Sequence, residues 1–206
     1  MIKLIYLDEE QGWQSIFHDE FSDKYELIIP EKMPRDINEL WSFVSNAQVL
    51  VADYRLNGSG EVSYTGDDVA RMVHQHNKHL PVFIITSYED NAIQECTEVQ
   101  IIRGKEMFTE PELQNKFNLM ISAAVNVYES KKKTAEDRIR SLQEIISRGG
   151  TLSSNEESDR FDAELYLSEL DMDSSLRANM ITGATALTID NMLSMAKSIT
   201  INHEKK

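Results

Sequence analysis

The sequence predicts an open α/β fold: a doubly wound parallel sheet of five strands, with an extended last helix and a small all-α C-terminal region. Three observations carry this. Short apolar runs at 2–7, 25–29, 48–56, 81–85 and 99–102 have the unbroken hydrophobicity of strands covered on both faces. Stretches of helical periodicity lie between most of them. Four of the runs also end in groups that do chemistry: Asp8-Glu9-Glu10, Asp53, Thr86-Ser87 and Gly104-Lys105. Open parallel sheets keep their ligand sites at the carboxyl ends of the strands, so these groups are expected along one edge.

Taken in order, residues 11–21 put Trp13, Ile16, Phe17 and Phe21 at helical spacing, and the strand at 25–29 stops at Pro30. Residues 34–46 repeat the helical pattern through Ile37, Leu40, Trp41 and Val44. The run QVLVADYRL at 48–56 then carries Asp53 and enters the turn Asn57-Gly58-Ser59-Gly60. Thr65-Gly66-Asp67-Asp68 opens the next helix, with Asp67 or Asp68 suited to cap it and Val69, Met72 and Val73 as its apolar stripe. That helix and its end carry His74, His76 and His79. Their offsets do not share one helical face, so a solvated helix end is expected rather than a metal site. Trp13 and Trp41 read as core.

Clustered carboxylates raise one another's pKa unless a cation sits among them, and a hard ion such as Mg2+ prefers oxygen donors together with phosphate. Carboxylates, a hydroxyl and an ammonium at one sheet edge therefore suit phosphoryl transfer. The alternative for any single acid is a strand end on a solvated edge.

The motifs LIYLDEE, VLVADYRL, PVFIITS and IIRGKEMF, in this order, resemble the receiver domain of two-component response regulators over residues 1–128. The resemblance implies a flavodoxin-like receiver in which Asp53 accepts a phosphoryl group from a histidine kinase or phosphotransfer protein. Asp8, Glu9 and Asp53 would hold Mg2+, Thr86 would bond the phosphoryl oxygens, and Lys105 would pair with the phosphate. Arg55, Ser87 and Tyr88 would flank the group as secondary positions. The chain departs from the family in three places. Glu9 stands where a second Asp is usual, Glu106 follows Lys105 where Pro is usual, and the loop from Asn57 to Gly66 is longer.

From Pro111 the pattern changes. No Gly or Pro interrupts residues 112–148, a helix longer than a receiver requires, whose first half reads as packed and whose residues 129–150 read as a connector or two-stranded coil. Gly149-Gly150 ends it, and residues 151–159 read as a polar linker before a helical output or dimerisation region spanning 151–206. Two amphipathic helices are expected there, at 160–170 and 174–201. This last region carries five basic against ten acidic residues from Gly150 onward, and the whole chain has a net charge of -14, which argues against nucleic-acid binding. Lys131-Lys132-Lys133 is the one basic cluster. The lone Cys96 and the absence of a run of about 20 apolar residues predict a reduced, cytoplasmic setting without membrane insertion.

Two functions follow as expectations. The first is a Mg2+-dependent phosphorylation switch, not an enzyme, that relays its state through C-terminal helices to a protein partner or a homodimer. The alternative is a degenerate receiver acting as an adaptor. A phosphatase built on Asp53 and Lys105 would need more than the fold to support it.

Overall fold

The strands pair in the order β2-β1-β3-β4-β5, every pair parallel, in a computed structural model that describes residues 1–87 and 102–170. The elements are β1 (Ile2–Leu7), α1 (Gln11–Phe21), β2 (Tyr25–Ile28), a 3-10 turn (Ile37–Leu40) running into α2 (Trp41–Val44), and β3 (Val49–Asp53). Then come α3 (Gly66–His76), β4 (Val82–Thr86), β5 (Ile102–Gly104), a second 3-10 turn (Lys105–Phe108), α4 (Pro111–Ser147) and α5 (Ser154–Ser168). This is the doubly wound α/β architecture expected from the apolar runs.

Alternation along the buried strands sends successive side chains to opposite faces. Leu4, Tyr6, Val49, Val51, Phe83 and Ile85 pack with Phe17 and Phe21 of α1 and Phe117 and Ile121 of α4. Ile5, Leu7, Leu50, Ala52 and Ile84 pack on the other side with Val69, Ala70 and Val73 of α3. The strand order reverses beside β1, which opens a crevice at the carboxyl edge between β1 and β3. The register sets the edge: Leu7 pairs with Ala52, Asp53 with Ile85, and Thr86 with Gly104. Asp8, Asp53, Thr86 and Lys105 are therefore neighbours along one rim.

Several boundaries differ from expectation. The helix foreseen over 34–46 is a 3-10 turn and one turn of α-helix, because Asp36 caps the backbone N–H of Asn38 and starts the element late. Thr65, not an Asp, caps α3; its hydroxyl accepts from Asp68 N while the Asp68 carboxylate accepts from Thr65 N, a reciprocal capping box. Only the last residue of the strand foreseen at 99–102 lies within the described residues, and the strand continues to Gly104. The linker foreseen at 151–159 is mostly helix, because Ser153 and Glu156 form a second capping box that starts α5. Residues 171–206, and with them the helix foreseen at 174–201, lie outside the described residues.

The long helix α4 runs for 37 residues, as its uninterrupted sequence predicts. α5 folds back along its second half, burying Ala135, Leu142 and Ala163 and pairing Arg138 with Asp159. The end of α5 is pinned to the α3–β4 turn. Glu169 accepts from Lys78 Nζ and pairs with His79 Nε2, both at 2.7 Å, and its carbonyl accepts from Lys78 N. The ring of Tyr166 lies 4.5 Å from that of His79. Burial pushes the Glu169 carboxyl up, but its bonds to Lys78 and His79 win and hold it below the usual range. Its stabilising contribution is thus present above the ordinary Glu pKa and lost as pH falls through the depressed value. Glu169→Ala is expected to cost about 1–2 kcal/mol, the exposed Lys78 half being weakened by solvent screening. A lower denaturant midpoint with faster amide exchange in α5 would be the readout. Among the described residues, no helix is long and apolar enough to cross a membrane.

Candidate functional site

The acid centre is built from the ends of β1, β3 and β5. Parallel strands at the middle of a sheet are buried, so an acid just past their ends is only one residue from the core. Asp8 and Asp53 are 1% and 4% exposed, and Lys105, 3% exposed, sits between them. Its Nζ is 2.9 Å from Asp8 Oδ2, 3.1 Å from Asp53 Oδ1 and 3.9 Å from Glu10 Oε1. Although Glu106 rather than Pro follows it, Lys105 is aimed at both acids. It opens the 3-10 turn whose Met107 and Phe108 are buried, and that anchoring fixes its direction.

Each acid is also held by the backbone or a neighbour. Arg55 N donates to Asp53 Oδ2 at 2.9 Å, and Glu10 N donates to Asp8 Oδ1 at 2.9 Å. Tyr6 Oη donates to Asp8 Oδ2 at 2.5 Å. The ring of Trp13 lies over the ammonium, 5.1 Å from centroid to Nζ, a cation–π contact on a half-buried indole.

The electrostatics follow from burial and this pairing. Burial pushes the Asp53 carboxyl up to about 6, with Lys105 pulling the other way and Asp8 adding to the rise. For Lys105, burial works to lower the pKa, but Asp53 and Asp8 outweigh it and hold the ammonium above its ordinary value. Burial and then Asp8 hold the Tyr6 phenol far above its usual range, so it remains a donor.

Of the residues the sequence singled out, the structure brings Asp8, Asp53 and Lys105 into direct contact. Thr86 is buried on the same rim, one residue beyond the pairing of Asp53 with Ile85. Arg55 contributes its backbone N–H, and Ser87 is exposed at the end of β4. Tyr88 lies outside the described residues. The Glu9 carboxylate accepts from Ser59 N in the long loop after β3. The extra methylene of Glu gives it that reach. His74, His76 and His79 are half-buried rather than on a solvated helix end, with separate partners: the Leu80 carbonyl, the Trp41 ring and Glu169.

The donor set decides whether Mg2+ suits the site. Asp8 and Asp53 converge on one point and are hard oxygen donors, which fits a small dication. That point holds the Lys105 ammonium, the third acid is turned to Ser59, and among the described residues no three His, Cys, Asp or Glu side chains gather as a metal shell. Two of the three foreseen ligands therefore fit.

Sequence reasoning did not single out Tyr6, and it read Trp13 as core, where it packs, without foreseeing that the ring also lies over Lys105. The available signal for Tyr6 was its place two residues before Asp8, near the carboxyl end of β1.

No protein-family model matches the chain, and no curated protein matches it in sequence. Among solved structures, the chain is similar to the RcsB response regulator of Salmonella typhimurium, described for conformational dynamism in DNA interaction, at 14% identity and a TM-score of 0.44. The match covers 88% of this chain and 98% of that one.

Proposed function

We propose that the chain is a receiver-like signalling protein of the two-component kind, with Asp53 as its phosphoryl acceptor. The observation that carries this reading is a buried ammonium shared by two buried carboxylates at the switch point of a doubly wound sheet. In the reaction, a carboxylate oxygen of Asp53 attacks phosphorus. The bond between phosphorus and the donor's leaving atom breaks, its electron pair departing with the leaving group, which takes up a proton. Arg55 N holds one Asp53 oxygen, leaving the orientation of the other fixed toward Lys105. Lys105 then neutralises the phosphoryl oxygens, and Thr86 on the adjacent strand end would bond them. Mg2+, when bound, would be held by Asp8 and Asp53 and would supply further positive charge against the phosphoryl group.

The relay begins at Lys105. Its 3-10 turn ends in Phe108, buried against Tyr6, Phe17 and Phe117, so a shift of the ammonium bears on the start of α4 and through it on α5. A histidine kinase or phosphotransfer protein is the corresponding donor in the cytoplasm, and a protein partner or second copy reads the helices.

The adaptor reading has one observation in its favour, the engagement of Glu9 with Ser59. The two readings part on labelling. Treated with a small phosphodonor such as acetyl phosphate, the full chain is expected to gain one phosphoryl group, and Asp53→Asn none. Because only the ionised carboxylate is nucleophilic, the labelling rate is expected to rise with pH through about 6 and level off above it. A folded chain that takes no label with or without Mg2+ would leave the adaptor.

A further inference from the structure

We infer that Tyr6 is a positioning residue that sets how readily the acid centre accepts a divalent cation, by occupying, together with Lys105, one of the two Asp8 oxygens open to such a cation. This rests on the receiver-like reading of the same site.

Tyr6 is fully buried on β1, two residues before Asp8, which follows the end of the strand. Its ring is stacked on Phe17 at 4.0 Å and meets Phe108 edge-on at 5.7 Å, so the phenol has one direction to point. That direction is Asp8 Oδ2, at 2.5 Å. The same oxygen faces Lys105 Nζ at 2.9 Å, and Glu10 N takes Oδ1. An ionised carboxylate offers about four lone-pair sites, so the three donors leave about one, and Oδ2 has none to spare.

Lys105 can give up this oxygen and keep Asp53. Among the described residues Tyr6 Oη has Asp8 Oδ2 as its acceptor, and a buried hydroxyl that loses its partner is penalised. A cation that takes Asp8 Oδ2 must therefore share electron density with the phenol or strand it, and one that avoids the phenol is confined to the single open site on Oδ1. Both effects weaken cation binding, and both vanish when the hydroxyl is removed while the ring stays. The phenol and the ammonium thus compete with a cation for Asp8 Oδ2.

The experiment is a calorimetric titration of the full chain with MgCl2, comparing wild type with Tyr6→Phe, each checked for folding by circular dichroism. Tyr6→Phe is expected to bind Mg2+ about tenfold more tightly, a difference of about 1.4 kcal/mol. Equal affinity in the two proteins overturns the inference and leaves the receiver-like reading standing. Weaker binding in Tyr6→Phe also overturns it, by showing that the phenol prepares Asp8 for the ion. Absence of binding in both overturns it together with the metal part of that reading. Should Tyr6→Phe fail to fold, the wild type answers alone. The ring-carbon NMR signal of Tyr6 next to its hydroxyl is expected to shift in step with Mg2+ saturation, and a signal that stays in place while Mg2+ binds overturns the inference.

Discussion

Lys105→Met is expected to lower the stability of the folded chain by about 3–5 kcal/mol near neutral pH, the cost of stripping a buried charge pair of one partner. Met matches the length of the Lys stem, so the loss is electrostatic rather than a cavity. Two carboxylates, 1% and 4% exposed, would face each other without the cation that now lies within 3.1 Å of both. The pH dependence distinguishes this cause from poor packing. Burial already holds Asp53 up at about 6 against the pull of Lys105, and removing Lys105 raises it further. An acid whose folded pKa is raised favours folding below its ordinary value and loses that contribution as pH rises through the folded one. The deficit of Lys105→Met is therefore expected to be largest above the raised Asp53 pKa and to shrink at acid pH, as read from denaturant midpoints across pH. A deficit independent of pH would assign the loss to packing.

Gly66→Ala is expected to damage both the fold and the site, at about 2–3 kcal/mol. Gly66 begins α3 directly beneath the end of β3. A methyl there falls inside contact distance of the Asp53 carbonyl oxygen, 3.1 Å from the Asp53 carbonyl carbon and 3.1 Å from Ile84 Cδ1. Two of these three neighbours are backbone of Asp53 itself, so relief comes only by moving Asp53 or the start of the helix. Tyr54 N donates to the Ile85 carbonyl and Gly66 N to the Tyr54 carbonyl, so the displaced helix start would pull on the segment that follows Asp53. Gly12→Ala is the control, since a methyl there meets nothing within 4 Å. A lower midpoint and a slower phosphodonor reaction in Gly66→Ala, with Gly12→Ala unchanged, is the expected pair of results.

Much of this centre was legible in the sequence. Buried parallel strands announce themselves as apolar runs, and an acid at the end of such a run has few places to go but the rim. Asp8, Asp53, Thr86 and Lys105 were found this way, and the strand order then made neighbours of residues almost a hundred positions apart. What stayed hidden depends on side-chain direction. Glu9 looked like a third acid of the centre, but its longer stem carries it to Ser59. Tyr6 looked like one more apolar strand residue, because hydrophobic pattern does not distinguish a packed ring from a packed ring with its hydroxyl on a carboxylate. Trp13 reads as core and does pack against it, but its further contact over Lys105 has no signature in the hydrophobic pattern. The capping boxes at Thr65 and Ser153 were present as Thr-x-x-Asp and Ser-x-x-Glu, yet the neighbouring acids and the polar composition drew attention away from them.

The central claim is that Asp53 is a nucleophile held ready beside Lys105. Its most direct measurement is the site of modification. The full chain is treated with acetyl phosphate and Mg2+, the acyl phosphate is reduced with borohydride, and the modified peptide is sequenced by mass spectrometry. One modified residue at Asp53, absent from Asp53→Asn, is the expected result. An unmodified Asp53 in a folded chain, or modification elsewhere that persists in Asp53→Asn, would contradict the account.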